Sequence, residues 1–255
     1  MPSKEENTEG LIRPMKRKTD PSLGPDVILA LIPTDLATLV QLNQGRDLHC
    51  VDLDHFKVYR LRDGIKAPPS FAGPFLGAPQ AVMGMEKVIA LGAKRIWVWG
   101  WCGSLQPGLR IGDLVIPIHA ISEEGTSQHY PVGDKPVSTD EGLNRMLEET
   151  LRREGQSFSS GTTWTTDAPY RETPAKVKAY QERGVLAVEM EMSALMTLAV
   201  FRSVKLTGLL VVSDELSALR WRPGFGDPKF KRNCRLAGRL LWDLVESLRG
   251  QESGY

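Results

Sequence analysis

Apolar residues along the chain fall into short unbroken runs separated by stretches with a helical repeat. Val27 to Ile32 is a run of β-branched and aliphatic residues closed by Pro33, the pattern of a strand buried on both faces. Asp35 reads as the cap of a helix reaching about Asn43. His49 to Leu61 reads as strand material, Asp63-Gly64 as a turn, and Phe71 to Phe75 as a short strand. A helix is expected from about Gln80 to Leu91, ended by Gly92. Further strands are predicted at Arg95 to Trp101, Leu114 to Ile118, Thr162 to Thr166 and Leu206 to Val212, with an apolar run at Val185 to Val188. Helices are predicted over Thr139 to Arg153, from Pro174 onward, over Met190 to Arg202 and over Phe230 to Leu248.

Strands alternating with helices predict an α/β protein, a sandwich of helices around a mixed or mainly parallel sheet. No repeat or linker interrupts the pattern, so residues 25–250 are expected to form one domain behind a flexible tail over residues 1–24. In such folds ligands bind beyond the carboxyl ends of the strands. Polar residues at those ends are therefore the candidates for chemistry.

Composition narrows the functional classes. Thirty-two Lys and Arg balance 31 Asp and Glu, so binding of nucleic acid or a membrane surface by bulk charge is not expected. No apolar run approaches the ~20 residues that span a bilayer, and the N-terminus lacks an apolar signal core. Cys50, Cys102 and Cys234 form no CxxC pair, which fits a reducing, cytoplasmic setting. The four histidines show no HExxH spacing, and no metal site is expected.

Four strand ends carry polar groups. Trp97, Trp99 and Trp101 alternate along one strand face, followed by Cys102 and Gly103. Gly100 and Gly103 would let backbone approach a ligand, or simply make a turn. Ser213-Asp214 follows Leu209 to Val212, where an Asp facing a pocket can act as acid or base, or merely cap a helix. Glu189 and Glu191 flank Met190 and face one way if extended, which suits sugar hydroxyls. They equally suit a first helical turn. Thr165 to Glu172 is a polar loop containing Thr166, Asp167, Tyr170 and Arg171.

Together with GAPQAVMGMEKVIALGAKRI, GWCGSLQPGLRIGDLVIP, VEMEMSAL and VVSDEL, these segments resemble the nucleoside phosphorylase and nucleosidase superfamily. That group holds the purine nucleoside phosphorylases, uridine phosphorylases and methylthioadenosine/adenosylhomocysteine nucleosidases, and the resemblance covers about Val27 to Leu248. It implies a three-layer α/β/α sandwich with a mixed central sheet. It also implies an enzyme cleaving the N-glycosidic bond of a nucleoside, most naturally a purine nucleoside. Asp214 would be the catalytic acid at the leaving base. Glu191, Met190 and Glu189 would bind ribose. Cys102, Gly103, Thr166, Asp167, Tyr170, Arg171 and Ser213 would surround the base. A homo-oligomer, dimer or hexamer, is implied as well. No cofactor is implied, with inorganic phosphate as the candidate co-substrate.

The chain departs from the family at the phosphate site. Family phosphorylases carry Arg and Ser or Thr where this chain has Val98 and Trp101, and Pro33 to Thr38 contains no arginine. Arg220 and Arg222 are the candidate anion-binding replacements. Hydrolysis by water, and a non-catalytic nucleoside-binding protein of the same fold, are the alternatives. Pro169 stands where the family's base-stacking Phe usually is, so Tyr170 or Trp164 would have to stack instead.

Overall fold

The computed structural model describes residues 10–53, 55–62 and 68–248. Strand β1 (Asp26–Ala30) is buried at every position, as its unbroken apolar run requires. It lies between two parallel neighbours, β4 (Ser70–Gly73) and β5 (Arg95–Ser104). Asp26 locks that register, because its carboxylate accepts from Arg95 Nε at 2.7 Å and Trp97 Nε1 at 3.0 Å.

The strand material expected from His49 to Leu61 forms two strands, β2 (Leu48–Asp52) and β3 (Lys57–Leu61). A turn closed by Leu53 N–H to Phe56 O at 3.0 Å folds them into an antiparallel pair. The predicted Asp63-Gly64 turn lies outside the described residues.

The remaining strands are β6 (Leu114–Glu123), β7 (Phe158–Thr166), β8 (Ala187–Glu189), β9 (Lys205–Glu215) and β10 (Arg222–Pro223). The ten-stranded sheet is mixed. β5 pairs in parallel with β9, β9 antiparallel with β6, and β6 in parallel with β7. β7 then pairs in parallel with β8, and β8 returns antiparallel to β5. Those five strands close a ring. Along β5 the neighbour changes from β1 at Arg95–Trp99 to β8 at Gly103–Ser104, which opens a gap at the strand's carboxyl end.

Helices cover both faces. α2 (Gly77–Leu91) and α5 (Met192–Arg202) pack on one side, joined by a bidentate Arg202–Glu86 pair at 2.7 and 2.8 Å. On the other side lie α1 (Pro33–Leu42), α3 (Glu141–Arg153) and α6 (Pro228–Ser247). A further helix, α4 (Pro174–Glu182), packs over Trp164. Trp97 and Trp99 are fully buried core residues on the α6 side, while Trp101 is only partly buried. Gly238 of α6 makes this packing possible: a Cβ there would sit 2.3 Å from the Trp99 ring.

Several predicted helix starts shift: α2 begins at Gly77 rather than about Gln80, α3 at Glu141 rather than Thr139, and α6 at Pro228 rather than Phe230. α1 begins at Pro33 with Ile32 as its uncapped N-terminal residue, so Asp35 is not a cap but a buried residue of the first turn. α5 begins at Met192, two residues later than its apolar periodicity predicted. Part of the expected tail is anchored. Leu23 is buried and bonds to Leu91 O at 2.9 Å, and Lys87 pairs with Asp20 and donates to Met15 O at 2.6 Å. Among the described residues no helix is long and apolar enough to cross a membrane.

Candidate active site

The gap at the end of β5 is a cavity of about 600 Å³. Its walls come from the ends of four strands, as the sheet topology dictates. Ile32 follows β1. Trp101, Cys102 and Gly103 end β5. Val188 to Glu191 end β8, and Ser213, Asp214 and Leu216 end β9.

Asp214 reaches the cavity through a bulge. Cys102 pairs with Val212, but Gly103 pairs with Asp214, so Ser213 is an extra residue that re-aims the strand. Gly103 is the residue this needs, since a Cβ there would lie 3.0 Å from Asp214 Oδ2 and 3.0 Å from Leu216 Cδ1. Gly100, also expected to face a ligand, instead makes room for Leu31, whose Cδ1 would be 2.7 Å from an added Cβ.

Both Asp214 oxygens have partners. Ser213 Oγ donates to Oδ1 at 2.6 Å, and Trp221 Nε1 donates to Oδ2 at 3.0 Å. Burial raises the Asp214 pKa, and the two donors oppose it without cancelling it. No helix begins at Asp214, so the plain capping alternative is absent.

Glu191 and Glu189 are not equivalent. Glu189 Oε2 accepts from the N–H groups of Glu191 at 2.7 Å and Met192 at 2.6 Å, and Thr165 Oγ1 donates to Oε1. Glu189 therefore satisfies the free N–H groups at the start of α5. It lines the cavity as a positioning group, and its burial pushes its pKa up to about 7. Glu191 is not in an extended segment (φ −135°, ψ −33°), so the two side chains do not simply alternate. Its Oε1 accepts from Gly77 N–H at 2.7 Å. Gly77 has φ +76°, a conformation that favours glycine and turns its N–H to the carboxylate. Burial, with Glu189 beside it, pushes the Glu191 carboxyl up to about 8.

Met190, Cys102 and Ser213 also line the cavity, and Pro169 and the fully exposed Tyr170 form its rim. Burial and the nearby acids hold the Cys102 thiol well above its ordinary pKa, so it serves as an apolar wall. Thr166 and Asp167 do not reach the cavity: Thr166 Oγ1 accepts from Ala168 N–H at 3.2 Å and Asp167 Oδ2 from Gly125 N–H at 2.9 Å. Arg171, Arg220 and Arg222 are not among its lining residues either. Arg222 instead pairs with Glu215 at 3.0 Å. Trp164 is buried against Tyr180, with its Nε1 donating to Glu123 at 3.1 Å, and cannot stack on a ligand.

Sequence reasoning missed Glu172, Trp221 and Phe225, which also line the cavity. Burial, with Asp214 nearby, pushes Glu172 up to about 7. Glu172 sat in the polar loop already singled out, and Trp221 between the two candidate arginines. Among the described residues no cluster of three or more His, Cys, Asp or Glu is arranged to hold a metal ion.

A family profile described as the phosphorylase superfamily matches residues 27–247. Among curated proteins, the chain is 27% identical over 177 residues to a guanosine phosphorylase of Halorubrum lacusprofundi, covering 68% of this chain and 73% of that one. It is 31% identical over 150 residues to a DeoD-type purine nucleoside phosphorylase of Caldanaerobacter subterraneus, covering 58% and 64%. Among solved structures it is similar to a purine nucleoside phosphorylase of Toxoplasma gondii in complex with immucillin-H, with a TM-score of 0.79 at 22% identity over 90% of this chain and 93% of that one. A uridine phosphorylase of Vibrio fischeri gives a TM-score of 0.76 at 20% identity over 88% and 92%.

Proposed function

This chain belongs to the phosphorylase superfamily, and from that premise we propose that it is an enzyme cleaving the N-glycosidic bond of a purine nucleoside. One observation carries the proposal: Asp214 and Glu191, brought from β9 and the end of β8, line the same cavity with Gly103 between their strands. Glycosidic cleavage leaves electron density on the base nitrogen and positive charge on the sugar. An acid at the base meets the first demand, and carboxyl oxygens beside the sugar meet the second through their negative dipole ends. Asp214, whose pKa burial raises, donates the proton to the leaving base. Glu191 accepts from ribose hydroxyls while Gly77 holds its other side, and Met190 packs on the sugar. Glu189 fixes the backbone that presents both.

The purine preference rests on Ser213-Asp214, an acid suited to a ring nitrogen, and on relatives named for guanosine and purine nucleosides. A homo-oligomer is part of the proposal: Leu76, at the cavity rim just before α2, is 72% exposed, and Met83 on α2 is 55% exposed, which suits a second copy. Sedimentation tests that part. The enzymatic part is tested by incubating the protein with purine and pyrimidine nucleosides and separating free base by chromatography. Release from a purine nucleoside is expected, and no release from any member of the panel would overturn it.

A further inference from the structure

We propose that Glu172 selects the base, and that it selects 2-amino-6-oxopurine nucleosides, the class of guanosine; the inference rests on the glycosidic-cleavage function proposed above. The carboxyl groups lining the cavity are those of Glu172, Glu189, Glu191 and Asp214. All but Glu172 are engaged within the chain: Asp214 accepts from Ser213 and Trp221, Glu189 from the start of α5 and Thr165, and Glu191 from Gly77. Among the described residues no donor holds the Glu172 side chain, and only burial and the charge of Asp214 act on it. A half-buried carboxylate with nothing to accept is costly. A ligand that brings N–H groups to it removes that cost.

The backbone that carries Glu172 is fixed. Its N–H donates to Pro169 O at 3.2 Å, closing the turn at the cavity rim, and Thr173 N–H donates to Arg171 O at 2.8 Å. Thr173 caps α4 by accepting from Lys176 N–H at 3.4 Å, so Glu172 is not spent as the cap. Glu172 also stands at the base end of the cavity, because the charge it feels is that of Asp214, the acid at the leaving base. The rim that suits a second copy lies elsewhere. In the sheet order β7-β8-β5-β1-β4, Leu76 follows β4 on one side of β5 and Glu172 follows β7 on the other.

The chemistry of the base edge then decides the class. The purine nitrogen open to an acid on the ring that bears the sugar is N7. A purine held with N7 at Asp214 lays position 6, N1 and position 2 along the edge beyond it. Guanine offers N1–H and its 2-amino group side by side, two parallel donors that the two oxygens of one carboxylate accept. Hypoxanthine keeps N1–H and lacks the amino group. Adenine has a bare N1, an acceptor facing an acceptor. A site built to accept from N–H groups discriminates strongly against a base that lacks them.

The test compares base release from guanosine, inosine, adenosine and 1-methylguanosine, which has lost N1–H. It uses the unmodified protein and Glu172→Gln, in buffer containing phosphate so that phosphate and water are both present, with binding of each nucleoside followed by calorimetry. In the unmodified protein, guanosine should lead inosine by about tenfold or more in kcat/KM, and adenosine and 1-methylguanosine by at least as much. The amide of Glu172→Gln keeps the shape but replaces one acceptor with a donor. The lead of guanosine over adenosine should shrink about ten- to hundredfold in that variant, with the thermal midpoint held. Base release that treats guanosine, adenosine and 1-methylguanosine alike, or a preference that Glu172→Gln leaves intact, would refute the role of Glu172 and leave glycosidic cleavage standing. Binding that is selective for guanosine and depends on Glu172, without any release, would do the reverse. Neither binding nor release would sink both.

Discussion

The indole N–H of Trp221 donates to Asp214 Oδ2 at 3.0 Å, across a turn that folds β10 back onto β9. A donor to the ionised form lowers a carboxyl pKa, so Trp221 restrains the rise that burial imposes on Asp214. Trp221→Phe keeps a ring beside Phe225 and removes only the donor. The Asp214 pKa then rises further. Because the acid must be protonated to donate, the alkaline limb of the kcat/KM profile moves to higher pH. An unmoved limb would mean that another group sets it.

Asp214→Asn removes the proton donor at little structural cost, since the carboxyl is disfavoured by its own burial. The rate on natural nucleosides should fall about 10²- to 10⁴-fold with the thermal midpoint nearly unchanged. A riboside whose leaving group departs without protonation, such as a nitrophenyl riboside, should lose far less. Equal losses on both substrates would deny Asp214 the role of acid.

The alternation of runs and periodic stretches made the layers of this fold legible, because strands buried on both faces and helices with one apolar face have distinct periods. Glu191 and Asp214 were legible because each stands in a motif of the family resemblance, VEMEMSAL and VVSDEL, following an apolar run. Glu172 and Trp221 were not. They reach the cavity from loops, where no periodicity exists, and only the fold-back of β10 carries the indole to Asp214. Asp35 misled, since capping rules concern local geometry and the residue is buried by tertiary packing instead.

Two glycines on β5 separate packing from chemistry. In Gly103→Ala the new Cβ lies 3.0 Å from the Asp214 carboxylate and 3.0 Å from Leu216, so the acid must move. In Gly100→Ala it meets Leu31 at 2.7 Å, outside the cavity lining. Overpacking of this size costs about 1–3 kcal/mol in either case. Only Gly103→Ala should also lower kcat/KM, by about tenfold or more, since small displacements of a catalytic group are expensive. Equal activity in the two folded variants would show that the bulge does not aim Asp214 productively.

The acids of the cavity also set a stability profile. The Glu191 and Glu189 carboxyls titrate near 8 and 7 in the folded chain, against about 4.3 when unfolded. Each folded pKa is raised, so the native state binds the extra protons, and stability falls as pH climbs from about 5 to 8. Carboxyls whose pKa is lowered in the fold, such as Glu123 and Glu215, act the other way and lose their contribution only below that window. Glu191→Gln removes one titration while keeping an oxygen for Gly77 N–H. Its thermal midpoint should decline less steeply than that of the parent chain between pH 5 and 8, the difference approaching the ~1.4 kcal/mol per pH unit of one proton at most. Parallel curves would mean that Glu191 titrates no differently when folded, and that burial does not hold it protonated.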